Sequence, residues 1–279
     1  MNNNKLKTFA VIGDPIDHTL SPTIHNAAFK FLKMNCNYIA YKIKRHELES
    51  GIKSLKLINI SGFNVTIPHK VAILNHINKF GDDCNKVGAI NTVINDQSNL
   101  IGYNTDIVGF ITPLLQRNIS LPNCDILLLG FGGAARAVIA ACAKENVRNL
   151  IVAYRNNQNK EKILQYSELF NIDVKTILIN EIYDYAHHYH YDLIVNATPI
   201  GLNNEPSLIN DKMIDKHTIV YDLVYRPMNT NLIKQAKKHN SRIIYGYEML
   251  LHQAAQSFEL WHNRKAPLDI MKQAILRGF

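Results

Sequence analysis

Ile126-Leu127-Leu128-Leu129-Gly130-Phe131-Gly132-Gly133-Ala134-Ala135-Arg136 is a short apolar run that stops on glycines and passes directly into residues that favour helix. The run has the length of a strand and no polar alternation, the pattern of a strand covered on both faces of a parallel sheet. Small residues after such a strand let the turn close tightly, let a pyrophosphate approach the backbone and let the helix pack on the sheet. The N–H groups at the start of the helix, with its dipole, then attract the anion. Gly130, Gly132 and Ala135 occupy the three small positions of the dinucleotide fingerprint, with Gly133 and Ala134 between the last two. A glycine turn alone also occurs without a ligand, so the strand before it and the helix after it carry the reading.

Downstream, apolar runs at 150–154, 174–179, 193–196, 218–223 and 242–245 read as further strands of one Rossmann-like domain. The second strand ends in Tyr154-Arg155-Asn156, and no carboxylate follows until Glu161. An acidic residue at this place accepts from a free ribose 2′-hydroxyl, whereas a 2′-phosphate is held by arginine, so Arg155 predicts NADP over NAD. Without the fingerprint, the same arginine reads as a solvated surface residue.

Upstream the alternation continues. We expect a strand at 9–12 and a helix after Ser21-Pro22 whose buried stripe is Ile24, Ala27, Ala28, Phe31 and Leu32. A strand at 38–43, a helix at 47–57, a strand at 63–66 and a helix from Pro68 follow, and this βαβα order implies a largely parallel sheet. Runs at 89–95 and 100–104 read as an antiparallel pair, and 106–117 as a connecting helix with Pro113 inside it. Two helices close the chain, at 247–262 and from Leu268. Leu250, Ala254, Ser257 and Trp261 share a face of the first that needs cover, which the first domain can supply. The fold expected is α/β with two domains. An N-terminal, mainly parallel domain covers 1–105 and is completed by returning helices at 246–279, and the Rossmann-like domain covers 106–245.

A length of 279 residues, against a prior of about 150 per domain, agrees with two domains. Hydrophobic residues at 47% and charged residues at 19% exclude a disordered or collagen-like chain. The 31 Lys and Arg against 23 Asp and Glu leave a charge of +8, compatible with an anionic partner. The basic residues are scattered, and the short cluster Lys42, Lys44, Arg45 lacks interleaved aromatics, so no nucleic-acid groove is expected. Cys36, Cys84, Cys124 and Cys142 include no Cys-x-x-Cys, and the start of the sequence has no apolar leader. A cytoplasmic protein with no membrane partner is expected. His187, His188 and His190 alternate in direction without accompanying carboxylates, so no metal site is expected. A Gly-x-Ser-x-Gly elbow is absent, which leaves a serine hydrolase unsupported.

Asn64-Val65-Thr66-Ile67-Pro68-His69-Lys70 places a lysine in what reads as the first turn of a helix opened by Pro68. There an ammonium faces the positive end of the helix dipole, which favours giving up its proton. On spacing alone Lys70 reads as a surface lysine. Asn91 and Asp106 equally suit turns and caps, and Ser21 suits an N-cap before Pro22.

Taken together the motifs resemble those of the shikimate dehydrogenase family, in the same order from about residue 9 to 261. Asp17-His18-Thr19-Leu20-Ser21-Pro22 is similar to its His-Ser-x-Ser-Pro segment, and 64–70 to its Asn-Val-Thr-x-Pro-x-Lys segment. Gly88-Ala89-Ile90-Asn91-Thr92 and Gly102-Tyr103-Asn104-Thr105-Asp106 follow. Asn196-Ala197-Thr198-Pro199-Ile200-Gly201, Asp222-Leu223-Val224-Tyr225-Arg226-Pro227 and the stretch from Gly246-Tyr247-Glu248-Met249 complete the series.

The resemblance implies NADP-dependent interconversion of 3-dehydroshikimate and shikimate, on the route to chorismate and the aromatic amino acids. It implies Lys70 and Asp106 as the catalytic pair, in a cleft between the domains. Thr19, Ser21, Thr66, Asn91, Tyr225 and Gln253 would join them around the substrate. Gly130, Gly132, Gly133, Ala134, Ala135, Tyr154, Arg155, Asn196, Thr198, Leu223, Gly246 and Met249 would contact the cofactor. A monomer or homodimer is expected. Three positions depart from the family pattern: Thr19 stands where many members have serine, Tyr154 where asparagine is usual, and Phe131 where alanine is usual. Thr19 opens the alternative of a quinate or dual quinate/shikimate dehydrogenase using NAD. A second alternative is a catalytically silent nucleotide-binding regulator.

Overall fold

The apolar runs form two six-stranded sheets in a computed structural model that describes residues 5–81, 84–97, 99–182 and 190–279. The first half of the chain contributes β1 (Lys7–Gly13), α1 (Ser21–Phe31), β2 (Cys36–Lys42), α2 (Leu48–Leu57), β3 (Gly62–Val65) and β4 (Lys79–Phe80). The short helix α3 (Cys84–Val87), the strands β5 (Thr92–Asp96) and β6 (Asn99–Tyr103), and helix α4 (Asp106–Leu115) follow. The second half contributes β7 (Asp125–Leu129), α5 (Gly133–Lys144), β8 (Asn149–Tyr154), α6 (Gln158–Glu168), β9 (Val174–Leu178) and β10 (Leu193–Asn196). It continues with β11 (Ile219–Asp222), α7 (Asn231–Lys238), β12 (Arg242–Tyr245), α8 (Gly246–His262) and α9 (Leu268–Leu276). The chain divides into two compact units, Met1–Gly109 with Leu251–Phe279, and Phe110–Leu250.

In the first unit the strand order is β2-β1-β3-β5-β6-β4. Strands β2, β1 and β3 run parallel, and β5 is antiparallel to β3 and to β6. The C-terminal ends of β1 and β3, the start of β5 and the end of β6 therefore lie at one edge of the sheet. A core of Ala10, Ile12, Ile52, Phe63, Ile73 and Leu100, among others, holds α2 to one face. Helix α9 packs on α1. On the returning helix α8, Ala254 and Ser257 are buried, and Trp261 Nε1 donates to the Val93 carbonyl at 3.0 Å. Strand β2 is an edge, and both the N–H and the C=O of Tyr38 within it are taken by the Asn26 side chain, at 2.8 and 2.9 Å.

In the second unit all strands are parallel, in the order β12-β11-β10-β7-β8-β9. This is the doubly wound Rossmann order, whose direction of winding reverses between β7 and β10. Leu127, Leu129, Ile151, Ile194 and Val220 fill the space under α7 with Ile233 and Ala236. Asparagines with positive φ follow six of the helices, at Asn59, Asn118, Asn146, Asn171, Asn240 and Asn263. Asparagine tolerates the left-handed conformation that ends a helix, so it replaces the usual glycine there.

Three local expectations are corrected. No α-helix starts at Pro68; the chain turns and forms only the 3₁₀ helix Ala72–His76, with Lys70 in the turn before it. The helix-dipole argument for Lys70 therefore has no basis. The buried stripe of α1 is Ile24, His25, Ala28 and Phe29, whereas Phe31 at the end of the helix is 58% exposed. Ser21 is the first helical residue and caps nothing; Leu20 is the N-cap.

Candidate functional site

The edge of the first sheet gathers seven of the residues singled out for the substrate. Lys70 follows β3, Asn91 precedes β5 and Asp106 follows β6, so antiparallel pairing of the last two strands brings their ends back beside the first. Lys70 Nζ donates to Asp106 Oδ2 at 2.6 Å, with the Lys70 side chain 15% exposed and that of Asp106 4%. Nδ2 of Asn91 donates to Asp106 Oδ1 at 2.9 Å and faces Gln253 Oε1 at 3.2 Å. The N–H of Asp106 is fixed by Oδ1 of Asn104 at 3.0 Å. After β1, Thr19 Oγ1 donates to Ser21 Oγ at 3.3 Å. Thr66 ends the β3 segment, its N–H donating to the Ile12 carbonyl at 2.9 Å.

A buried polar layer lies behind these residues. Asn64 donates through Nδ2 to the Asn91 carbonyl and accepts from the Tyr38 hydroxyl at 2.6 Å. Burial pushes the Tyr38 hydroxyl well above its ordinary range, against a hydrogen bond from Ser21. Tyr38 stacks on His25, ring centroids 4.4 Å apart. His25 is wholly buried with neither ring nitrogen hydrogen-bonded to protein, and burial first, then the nearby His262, hold its pKa down to about 3. His262 is held down to about 4 by burial, then by Lys7 and Arg264.

In the second unit the glycine turn sits between the ends of β7 and β10. Gly130 has φ +102°, and a Cβ there would lie 2.8 Å from Thr198 Cγ2. Gly132 is the N-cap of α5, no side chain caps the helix, and a Cβ at Gly132 would meet nothing within 4 Å. Gly133, Ala134 and Ala135 form the first turn, whose N–H groups have no intrahelical partner. Thr198 donates to Asn196 Oδ1 at 2.6 Å, and Asn196 Nδ2 donates to Asp222 Oδ1 at 2.9 Å. Burial pushes the Asp222 carboxyl up, opposed by hydrogen bonds from Thr230, the Val224 N–H and Asn196. Leu223 donates its N–H to the Asn196 carbonyl, and Gly246 begins α8 against the Leu223 carbonyl. Met249 is buried on α8.

Tyr154 is buried at the end of β8, and Arg155 beyond it is exposed in a groove shared with Asn156, Leu178 and Ser207. Phe131 turns toward α6, its ring 5.8 Å from that of Tyr166 and 4.9 Å from the Arg136 guanidinium. Tyr225 belongs to this second unit, in the loop after β11, apart in sequence and unit from the other substrate candidates. His187 and His188 lie outside the described residues, His190 faces Asp215 at 3.4 Å, and no metal-holding cluster occurs among the described residues.

The fold agrees with the comparisons. The model of the shikimate dehydrogenase substrate binding domain matches residues 11–93, and that of the shikimate 5'-dehydrogenase C-terminal domain matches 246–276. The NADP(+) shikimate dehydrogenase of Nitrosopumilus maritimus is 49% identical, over 98% of this chain and 99% of its own length. This chain belongs to the shikimate dehydrogenase family. The crystal structure of shikimate dehydrogenase from Aquifex aeolicus superposes with a TM-score of 0.87 at 31% identity, covering 99% of both chains. That of Thermus thermophilus shikimate 5-dehydrogenase, in complex with NADP(H) and shikimate, gives 0.85 at 30% identity, covering 98% of this chain and all of the other.

Sequence reasoning about this dehydrogenase passed over the layer behind the site. Asn64, Thr92 and Thr105 stand inside the quoted motifs without a role of their own, and Ser257 reads in the sequence only as part of a helix face. Polar residues within two or three positions of a suspected catalytic group, in segments otherwise apolar, were the available signal.

Proposed function

We propose that the protein catalyses the reversible, NADP-dependent reduction of 3-dehydroshikimate to shikimate. The first unit holds the ring substrate and the second holds the dinucleotide. The 2.6 Å pair of Lys70 and Asp106 at the strand-end edge of the first sheet carries the reading. The glycine turn fits a dinucleotide, because the open space at Gly132 and the uncapped start of α5 leave room and donors for a pyrophosphate. Arg155, exposed in its groove, would bind the 2′-phosphate.

The bound nicotinamide supplies a hydride to the ketone carbon in the forward direction. Charge then grows on the carbonyl oxygen, and Lys70 donates a proton to it through Nζ. Asp106 holds Nζ in place with Oδ2, while Asn91 holds its other oxygen, so the carboxylate cannot swing away from the lysine. Thr19 and Ser21 provide hydroxyls for the substrate carboxylate, and Thr66, Asn91 and Gln253 provide polar groups for the ring hydroxyls. No helix among the described residues is long and apolar enough to cross a membrane, and four free cysteines suit the reducing cytoplasm.

The deciding experiment compares oxidation of shikimate and of quinate with NADP+ and with NAD+ at steady state. Efficient turnover of shikimate with NADP+ alone is expected. A preference for quinate overturns shikimate as the substrate, a preference for NAD+ overturns the assignment of Arg155, and absence of turnover with all four pairs overturns the function.

A further inference from the structure

The side chains assigned to the substrate ring come from separate segments, and one buried hydroxyl meets a neighbour of each. Ser257 on α8 is wholly buried. Its Oγ accepts from Asn64 Nδ2 at 3.0 Å, donates to the Gln253 carbonyl at 2.9 Å, and lies within hydrogen-bonding distance of the Thr92 and Thr105 hydroxyls, at 2.7 and 3.2 Å. Asn64 lies just before Thr66, Thr92 follows Asn91, and Thr105 precedes Asp106. Gln253 lies one helical turn before Ser257 itself.

The route from Ser257 to the site is short. Oδ1 of Asn91 accepts from the Thr105 N–H at 2.7 Å and lies 3.2 Å from the Thr92 and Thr105 hydroxyls, while Nδ2 of Asn91 donates to Thr105 Oγ1 at 2.8 Å. The same Nδ2 reaches Asp106 and Gln253. Asn91 is therefore held from behind by two threonines, and both threonines are held by Ser257. Alanine is the better residue for a helix interior. The hydroxyl that replaces it here contributes through this network, in which buried hydrogen bonds reinforce one another.

We infer that Ser257 is a positioning residue for the ring substrate: it orients the Asn91 and Gln253 amides through Thr92 and Thr105. The inference rests on the function proposed above. Its test uses Ser257→Ala, Thr92→Val and the double variant, with steady-state constants for shikimate and NADP+. Each single variant is expected to raise KM for shikimate about tenfold while KM for NADP+ stays within about twofold. The double variant is expected to be little worse than either, because both remove one shared network. A Ser257→Ala enzyme with the wild-type KM for shikimate overturns the inference, and so does an equal rise in both KM values, which marks general loosening. If Ser257→Ala does not fold, Thr92→Val carries the same two outcomes alone. Wild-type protein inactive on shikimate overturns the function instead, so the two failures are distinct.

Discussion

Asn91 and Asp106, 15 residues apart, are joined by a 2.9 Å hydrogen bond on the carboxylate oxygen that Lys70 does not use. The carboxylate is thus clamped from both sides, and the position of Lys70 Nζ depends on both partners.

Replacing Lys70 with alanine removes the proton donor and leaves the second unit untouched. The kcat for shikimate oxidation is expected to fall by about 10²- to 10⁴-fold. The Kd for NADP+, measured by fluorescence titration, is expected to stay within about twofold. Asn91→Ala is expected to cost less in kcat than Lys70→Ala, since Asp106 keeps its bond to the lysine. Full turnover in the Lys70 variant removes that residue from the mechanism.

Gly130 and Gly132 are expected to respond differently to alanine. At Gly130 the positive φ and the Thr198 methyl both oppose a Cβ, so Gly130→Ala is expected to destabilise by about 1–3 kcal/mol and lower Tm by several degrees. At Gly132 the backbone is extended, with φ −100° and ψ −167°, and the space is open. Gly132→Ala is expected to keep Tm within about 1 °C yet raise KM for NADP+ at least about tenfold, because the methyl takes the place of the pyrophosphate. Calorimetry and kinetics on the two variants separate the roles, and an unchanged KM in the Gly132 variant would place the phosphates elsewhere.

Arg155→Ala is expected to raise KM for NADP+ by about 10- to 100-fold, the worth of a charge-assisted hydrogen bond to phosphate. The KM for NAD+, which has no 2′-phosphate, is expected to change little. An equal loss with both cofactors would remove Arg155 as the discriminating residue.

The buried histidines make stability pH-dependent. His25 and His262 have folded pKa values of about 3 and about 4, below the 6.5 of the unfolded chain. The unfolded state therefore binds more protons, so stability is complete above pH 6.5 and declines as pH falls toward 4. His25 alone accounts for about 3 kcal/mol between pH 7 and pH 4. Urea unfolding across this range is expected to show the decline, and His25→Phe to flatten it. An identical slope in that variant would assign the effect to other groups.

The sequence made the second unit easier to read than the first. Strands at 193–196 and 242–245 are bounded as expected, their apolar runs ending where the chain turns. Helix α1 misled because His25, polar by type, is wholly buried among aromatic rings while Phe31 points to solvent. Pro68 looked like a helix start, yet the chain turns there and Lys70 is placed by its bond to Asp106. Lys70 and Asp106 are legible as a pair only through the family resemblance, since nothing in their spacing of 36 residues says that the ends of β3 and β6 lie together. The pairing of Asn64, Thr92, Thr105 and Ser257 is not legible in the sequence, because their hydrogen bonds join residues up to 193 positions apart.

The carboxamide of Asn26, bonded to Tyr38, does for the rim of the first sheet what another strand would do. A segment from a second molecule that tried to extend the sheet at that point would find the donor and the acceptor already engaged. One side chain on a neighbouring helix thus guards a protein with an open-edged sheet against polymerising through its own backbone.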